Sequence, residues 1–262
     1  MATLEPEGSG KVTTRVNGEA DYNARTTRRA AELLLTESGH PKADVMIDQT
    51  VDTPIGSGFG ASAAAATSAV YAVADAAGIE REKRELALYA HRAEILESTG
   101  LGTVSVIFDE VGAGAITIPG EPGKAKFVTV EVPSETRLVT AFIAPYDKKD
   151  ALSSPSVSER INRLGHESLL SFLSDPTLDT LAREGERFSS ALGLESSEVK
   201  KLIGLAKSAG AAHASQNMIG YSVHSLADTD RAEKVAEALR SYGGRVRVDV
   251  FEVGSRRAGV VG

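Results

Sequence analysis

Between a strand-like stretch and a long alanine-rich run lies Pro54-Ile55-Gly56-Ser57-Gly58-Phe59-Gly60-Ala61-Ser62-Ala63-Ala64, and this segment constrains the chain more than any other. Its glycines alternate, so the backbone can take dihedrals closed to other residues and come close to a ligand. The alanines that follow predict a helix from about Ala61 to Ala77, alanine being the best helix former. The unpaired N–H groups and dipole of that helix then face the loop, which favours an anion there. Ser62 falls in the first turn, where a hydroxyl can meet a phosphate oxygen or the magnesium that accompanies it. Two familiar phosphate loops are excluded. The Walker pattern needs a lysine, and none occurs between Lys42 and Lys83. The dinucleotide fingerprint needs a glycine three residues after its second, where Ala61 stands, beyond Gly58 and Gly60. A tight strand-to-helix turn that binds nothing is the plain alternative.

Composition narrows what such a loop can serve. Charged residues make up 25% and hydrophobic residues 42% of the 262, ordinary values for a globular chain. A formal charge of −7 argues against a general nucleic-acid binder, which needs a basic face. Arg25, Arg28 and Arg29 cluster, as do Arg256 and Arg257, but there is no tryptophan to stack on bases. Without cysteine there is neither a disulfide framework nor a thiolate site. The five histidines show no metal-ligand spacing. No apolar run is long enough to span a bilayer, and the first residues lack a secretory stretch. The expectation is a cytoplasmic domain acting on something small.

Strands are predicted at Lys11–Asn17, closed by the Asn17-Gly18 turn, and around Val45, Ile47 and Val51. Helices are predicted at Arg25–Leu35 and Glu82–Glu97. Val104–Phe108, Ala115–Ile118, Lys126–Val132 and Leu138–Ile143 read as strands. After a change of texture at Lys148–Pro155 come three helices, Ser156–Leu173, Thr177–Leu192 and Ser196–Ala209. A strand (Ile219–Leu226), a helix (Thr229–Tyr242) and a strand (Val246–Val253) complete the pattern, an α+β class in two subdomains. Asp109 and Glu110, as neighbours following a strand, point to opposite faces and are expected to be surface charges.

The Pro-x-Gly-x-Gly-Phe-Gly-x-Ser-Ala-Ala segment resembles the central motif of the GHMP kinases. Further stretches are similar to the archaeal pantoate kinases within that family. These are Arg25-Thr26-Thr27-Arg28, His91-Arg92-Ala93-Glu94, Thr99-Gly100-Leu101-Gly102, Lys149 before Ala151-Leu152, and Glu159-Arg160-Ile161-Asn162. Asp175-Pro176-Thr177-Leu178, Phe188 with Gly193-Leu194, and Ala214-Ser215-Gln216-Asn217-Met218-Ile219-Gly220 continue the series. The resemblance implies a GHMP kinase-like fold. Residues 1–136 would form an N-terminal ATP-binding half like the second domain of ribosomal protein S5. Residues 137–262 would form a ferredoxin-like βαβ half. Two departures accompany it. A preceding strand with a Pro-Gly/Ala-His motif is expected to be missing, and Thr103 occupies a position usually held by aspartate.

The implied reaction is transfer of the ATP γ-phosphoryl group to the primary hydroxyl of pantoate, on the route to coenzyme A. Homoserine, shikimate or mevalonate as acceptor, or nucleotide binding without turnover, are the alternatives. ATP and Mg²⁺ are the implied cofactors. Pro54, Gly56, Ser57, Gly58, Phe59, Gly60, Ala61 and Ser62, with Ser215, Gln216 and Asn217, would hold the nucleotide. By resemblance Glu94 joins Ser62 as the magnesium ligand; a solvated helical carboxylate is the other reading. Thr103 would stand where the base or charge partner acts. Lys149 can hold a carboxylate or the moving phosphoryl group as a point charge, although Lys148 and Asp150 equally suit a solvated loop. His91 could line the pocket, and Arg160 could clamp an anion; packing or surface roles compete for both. The expected partners are a small hydroxy acid and, as one option, a second copy of the chain. Neither nucleic acid nor membrane is expected.

Overall fold

The structure is a computed structural model that describes residues 1–20, 22–100, 102–145, 154–217 and 220–254. Its first half is built on a four-stranded sheet: β1 (Ala2–Glu5), β2 (Val12–Val16), β3 (Glu19–Ala20) and β4 (Asp44–Gln49), ordered β1-β4-β2-β3. β2 and β4 are parallel, joined through α1 (Arg25–Glu37), which gives this half its βαβ unit. Asn17 and Gly18 both take positive φ, as a two-residue hairpin between β2 and β3 requires. β1, formed by residues that carry no strand signal of their own, pairs antiparallel with β4.

α1 is joined in the helical layer by α2 (Ala61–Ala76) and α3 (Lys83–Glu97). α2 buries Ala63, Ala66, Ala69, Val70, Val73 and Ala74, its small side chains allowing close approach of both neighbours. α3 opens with a reciprocal capping box between Glu82 and Glu85.

The segment 104–108, expected to be a strand, is helical: it lies in α4 (Thr103–Phe108). Val104 is fully buried, and Ile107 and Phe108 pack on the same core. Positions 104, 107 and 108 form one helical stripe, while the β-branched residues among so few had suggested a strand. The placement of Asp109 and Glu110 changes with it. They follow a helix rather than a strand, and Asp109 Oδ2 accepts the Gly123 N–H at 3.2 Å.

A two-stranded ribbon, β5 (Gly114–Ile118) with β6 (Lys126–Thr129), leads into the second half. There β7 (Thr136–Ala144), β8 (His213–Gln216), β9 (Tyr221–Asp228) and β10 (Arg247–Glu252) form an antiparallel sheet ordered β10-β7-β9-β8. β8 was not anticipated, being short and carrying His, Ser and Gln. Among the described residues three helices run between β7 and β8: α5 (Pro155–Ser174), α6 (Leu178–Leu192) and α7 (Ser197–Ala209). The side chains of Thr177 and Ser196 cap α6 and α7, accepting from the Thr180 and Val199 N–H groups. α8 (Thr229–Arg240) joins β9 to β10. The sheet and α7 and α8 enclose a second core around Val139, Leu202, Val223, Val235 and Leu239. The architecture is α+β, with a ferredoxin-like sheet in its second half.

Candidate active site

The glycine loop joins β4 to α2, and Gly56, Gly58 and Gly60 take φ of 78, 81 and 79°. Gly60 is the N-cap of α2, so no side chain covers the first N–H groups of that 16-residue helix. Added at Gly60, a Cβ would lie 2.9 Å from Thr103 Cγ2. Thr103, the first residue of α4, therefore packs its methyl group against the loop, and the structure brings this predicted position to the site.

Ser62, in the first turn of α2, donates its hydroxyl to Glu94 Oε1 at 2.8 Å. Glu94 is 1% exposed near the C-terminal end of α3. Gly100 makes room for it, because a Cβ there would lie 2.6–2.9 Å from the three atoms of the Glu94 carboxyl group. Beside Gly100, Thr99 shares a 3.0 Å hydrogen bond with Thr26, at the start of α1. Three helices thus converge where the loop opens.

No group of three or more histidines and carboxylates among the described residues could hold a metal. The oxygens of Ser62 and Glu94 nonetheless suit a hard cation that keeps most of its waters.

The third predicted segment approaches from the other half. Asn217 Nδ2 donates to the Ser57 carbonyl at 2.9 Å. The side chains of Ser215 and Gln216 are instead engaged with backbone carbonyls of their own half, Ser215 with Gly185 and Gln216 with Gly220. Lys149 lies outside the described residues. Arg160 is exposed on α5.

The family model described as GHMP kinases N terminal domain matches residues 25–108, from the start of α1 to the end of α4, and so spans the loop, Ser62, Glu94 and Thr103. This segment of the chain is thus similar to the N-terminal domain of GHMP kinases. The chain is 28% identical over 261 residues to mevalonate kinase of Pyrococcus furiosus, covering 86% of this chain and 74% of that relative. It is 28% identical over 215 residues to pantoate kinase of Methanospirillum hungatei, covering 82% of this chain and 68% of that relative. Among solved structures it superposes on a phosphotransferase related to the CoA biosynthesis pathway with a TM-score of 0.81. That likeness is of fold, at 22% identity over 98% of this chain and 83% of the other. As in GHMP kinases generally, ATP is the phosphate donor this family uses.

Within this candidate site, His91 lies one turn before Glu94 on α3 and is 9% exposed. Burial pushes its pKa below the ordinary value, against the opposing pull of Glu121. Among the described residues its Nδ1 has no hydrogen-bond partner. No helix among the described residues is long and apolar enough to cross a membrane.

Sequence reasoning passed over Ser222 and Gln49. Ser222 Oγ joins Asn217 on the Ser57 carbonyl at 2.5 Å. Gln49 Nε2, at the end of β4, donates to the Ala65 carbonyl at 2.8 Å and so ties the entry of the loop to the helix at its exit. A lone serine or glutamine in a strand carries no sequence signal of such a role.

Proposed function

We propose that the chain is an ATP-dependent kinase that phosphorylates the primary hydroxyl of pantoate. The observation that carries the kinase reading is the Ser62–Glu94 contact at the N-terminus of α2, directly behind the glycine loop. Loop amides and the helix dipole suit the phosphates of ATP. Ser62 and Glu94 would hold magnesium, which when bound neutralises phosphate charge. In the reaction the bond from the γ-phosphorus to its bridging oxygen breaks and one to the acceptor hydroxyl oxygen forms. ADP leaves, and the hydroxyl proton passes to water or a nearby base. Catalysis of this kind is mostly positioning and charge stabilisation. Thr103, against Gly60, stands where it can orient the acceptor hydroxyl, and Lys149 is assigned to the acceptor carboxylate or the moving phosphoryl group.

Pantoate is favoured by the motif series from Arg25 to Gly220, by the pantoate kinase relative and by the fold shared with the CoA-related phosphotransferase. Mevalonate is the second reading, because a mevalonate kinase is just as similar in sequence. Incubating the protein with Mg-ATP and pantoate, mevalonate, homoserine or shikimate, and measuring ADP release, tests the choice. Pantoate should be turned over with the highest kcat/KM. A clear preference for mevalonate would replace the acceptor and keep the kinase.

A further inference from the structure

Ser57, in the middle of the glycine loop, is 3% exposed. Its carbonyl accepts hydrogen bonds from Asn217 Nδ2 at 2.9 Å and from Ser222 Oγ at 2.5 Å, donors 160 and 165 residues away in the chain. The two donors are held side by side at the end of the β8–β9 pair, where the Asn217 N–H donates to the Ser222 carbonyl at 2.9 Å. Gln216 Nε2 braces the same turn by donating to the Gly220 carbonyl at 2.8 Å. Ser222 is fully buried, so its hydroxyl has no bulk water as an alternative partner.

Among the described residues there are no cis peptide bonds. In a trans peptide the C=O and the following N–H point in opposite directions. Pinning the Ser57 carbonyl to the second half therefore turns the Gly58 N–H to the opposite side of the loop. The Ser57 hydroxyl takes up the Phe59 N–H at 3.3 Å, which leaves the Gly58 N–H the donor whose direction the clamp decides. Gly58, at φ 81°, has no Cβ to resist rotation, so this peptide would flip readily if it were not held.

We propose that Asn217 and Ser222 are positioning residues: they clamp the Ser57–Gly58 peptide with its N–H aimed at the bound phosphates. Asn217 then serves the nucleotide through Ser57 rather than by touching it, and affinity for ATP depends on the β8–β9 turn docking against the loop. The inference rests on the nucleotide-binding reading of that loop.

The test compares the parent protein with Asn217→Asp, which puts an acceptor in place of the donor at constant size, and with Ser222→Ala. Calorimetry with Mg-ATP gives Kd, steady-state kinetics give KM for ATP and for the acceptor, and thermal unfolding without nucleotide reports the fold. Each variant should raise Kd and KM for ATP about tenfold, the consequence of leaving a buried carbonyl short of a donor. The acceptor KM and the unfolding temperature of the half-buried Asn217→Asp should stay close to those of the parent. An unchanged ATP Kd in both variants would overturn the clamp. So would equal weakening of both substrates together with a lowered unfolding temperature, which is what a purely structural role predicts. A parent protein that does not bind Mg-ATP would remove the nucleotide reading and the clamp with it. Binding by the parent with unaffected variants removes the clamp alone.

Discussion

Ser62 and Glu94 sit 32 residues apart in sequence, yet the Ser62 hydroxyl reaches Glu94 Oε1 at 2.8 Å, joining the first turn of α2 to the end of α3. If this pair serves magnesium and the phosphates, each partner matters for turnover more than for the fold. Ser62→Ala and Glu94→Gln should each lower kcat by about 10²-fold or more, the usual scale for removing one preorganised electrostatic contact. The check is the rate at saturating ATP over a range of magnesium concentrations. Partial recovery at high magnesium is expected for Ser62→Ala, and less for Glu94→Gln.

Gly100 owes its place to the Glu94 carboxyl group, which lies where a Cβ would go. Gly100→Ala should push that carboxylate off Ser62 and raise the magnesium concentration needed for half-maximal rate. In a Glu94→Ala background the same change should do little, because the two effects are one interaction. A double-mutant cycle on magnesium dependence measures this directly.

At Gly60 two penalties act together. Its φ of 79° disfavours any L-residue, by about 1–2 kcal/mol, and its missing Cβ is what Thr103 Cγ2 packs against. Gly60→Ala should weaken ATP binding, and Thr103→Ser, which removes the offending methyl, should restore part of the loss. The remainder belongs to the backbone. ATP titrations of the two single variants and the double variant separate the two.

This linked geometry shows how far the residues alone carry a reader. The alternating glycines and the alanine run place the loop and α2, because both signals are local. Glu94 could be singled out only by its resemblance to GHMP kinases, since α3 carries other carboxylates of the same appearance. α4 was misread because a six-residue segment holds too few turns to tell a helical period from a strand period. The Ser57 clamp was invisible, because its donors lie 160 and 165 residues from the loop and have no periodicity to announce them. Packing between the halves decides such contacts.

If Thr103 stands beside the acceptor hydroxyl, as proposed, its own hydroxyl bears on rate more than on binding. Its hydroxyl can orient an acceptor but cannot take a proton at neutral pH. Positioned acid–base help is worth about 10²–10⁴-fold. Thr103→Asp should therefore raise kcat with little change in the Kd of ATP, and an aspartate also suits the N-terminal turn of α4. Single-turnover rates for parent and variant check this.

Stability should fall as the medium is acidified from pH 7. Burial lowers the pKa of both His91 and His224, and each has an Nδ1 without a hydrogen-bond partner among the described residues. A histidine with a depressed folded-state pKa binds its proton more readily when unfolded. Stability is thus fully present above the unfolded value, about 6.5, and is lost as pH drops below it. The carboxylates of Glu37 and Glu184, whose pKa values are lowered, add a second loss further into the acid range. Urea unfolding between pH 7 and 5 should show the first decline, and His91→Gln with His224→Gln should flatten it.

The central claim is that the glycine loop holds the phosphates of ATP. Calorimetric titration of Mg-ATP into the parent protein and into Gly58→Val tests it most directly. A β-branched residue cannot easily take the φ of 81° found there, and its side chain would stand where the backbone must approach the phosphates. The account predicts saturable one-to-one binding by the parent and none by a Gly58→Val protein that still unfolds cooperatively. Equal affinity in the two proteins would contradict it.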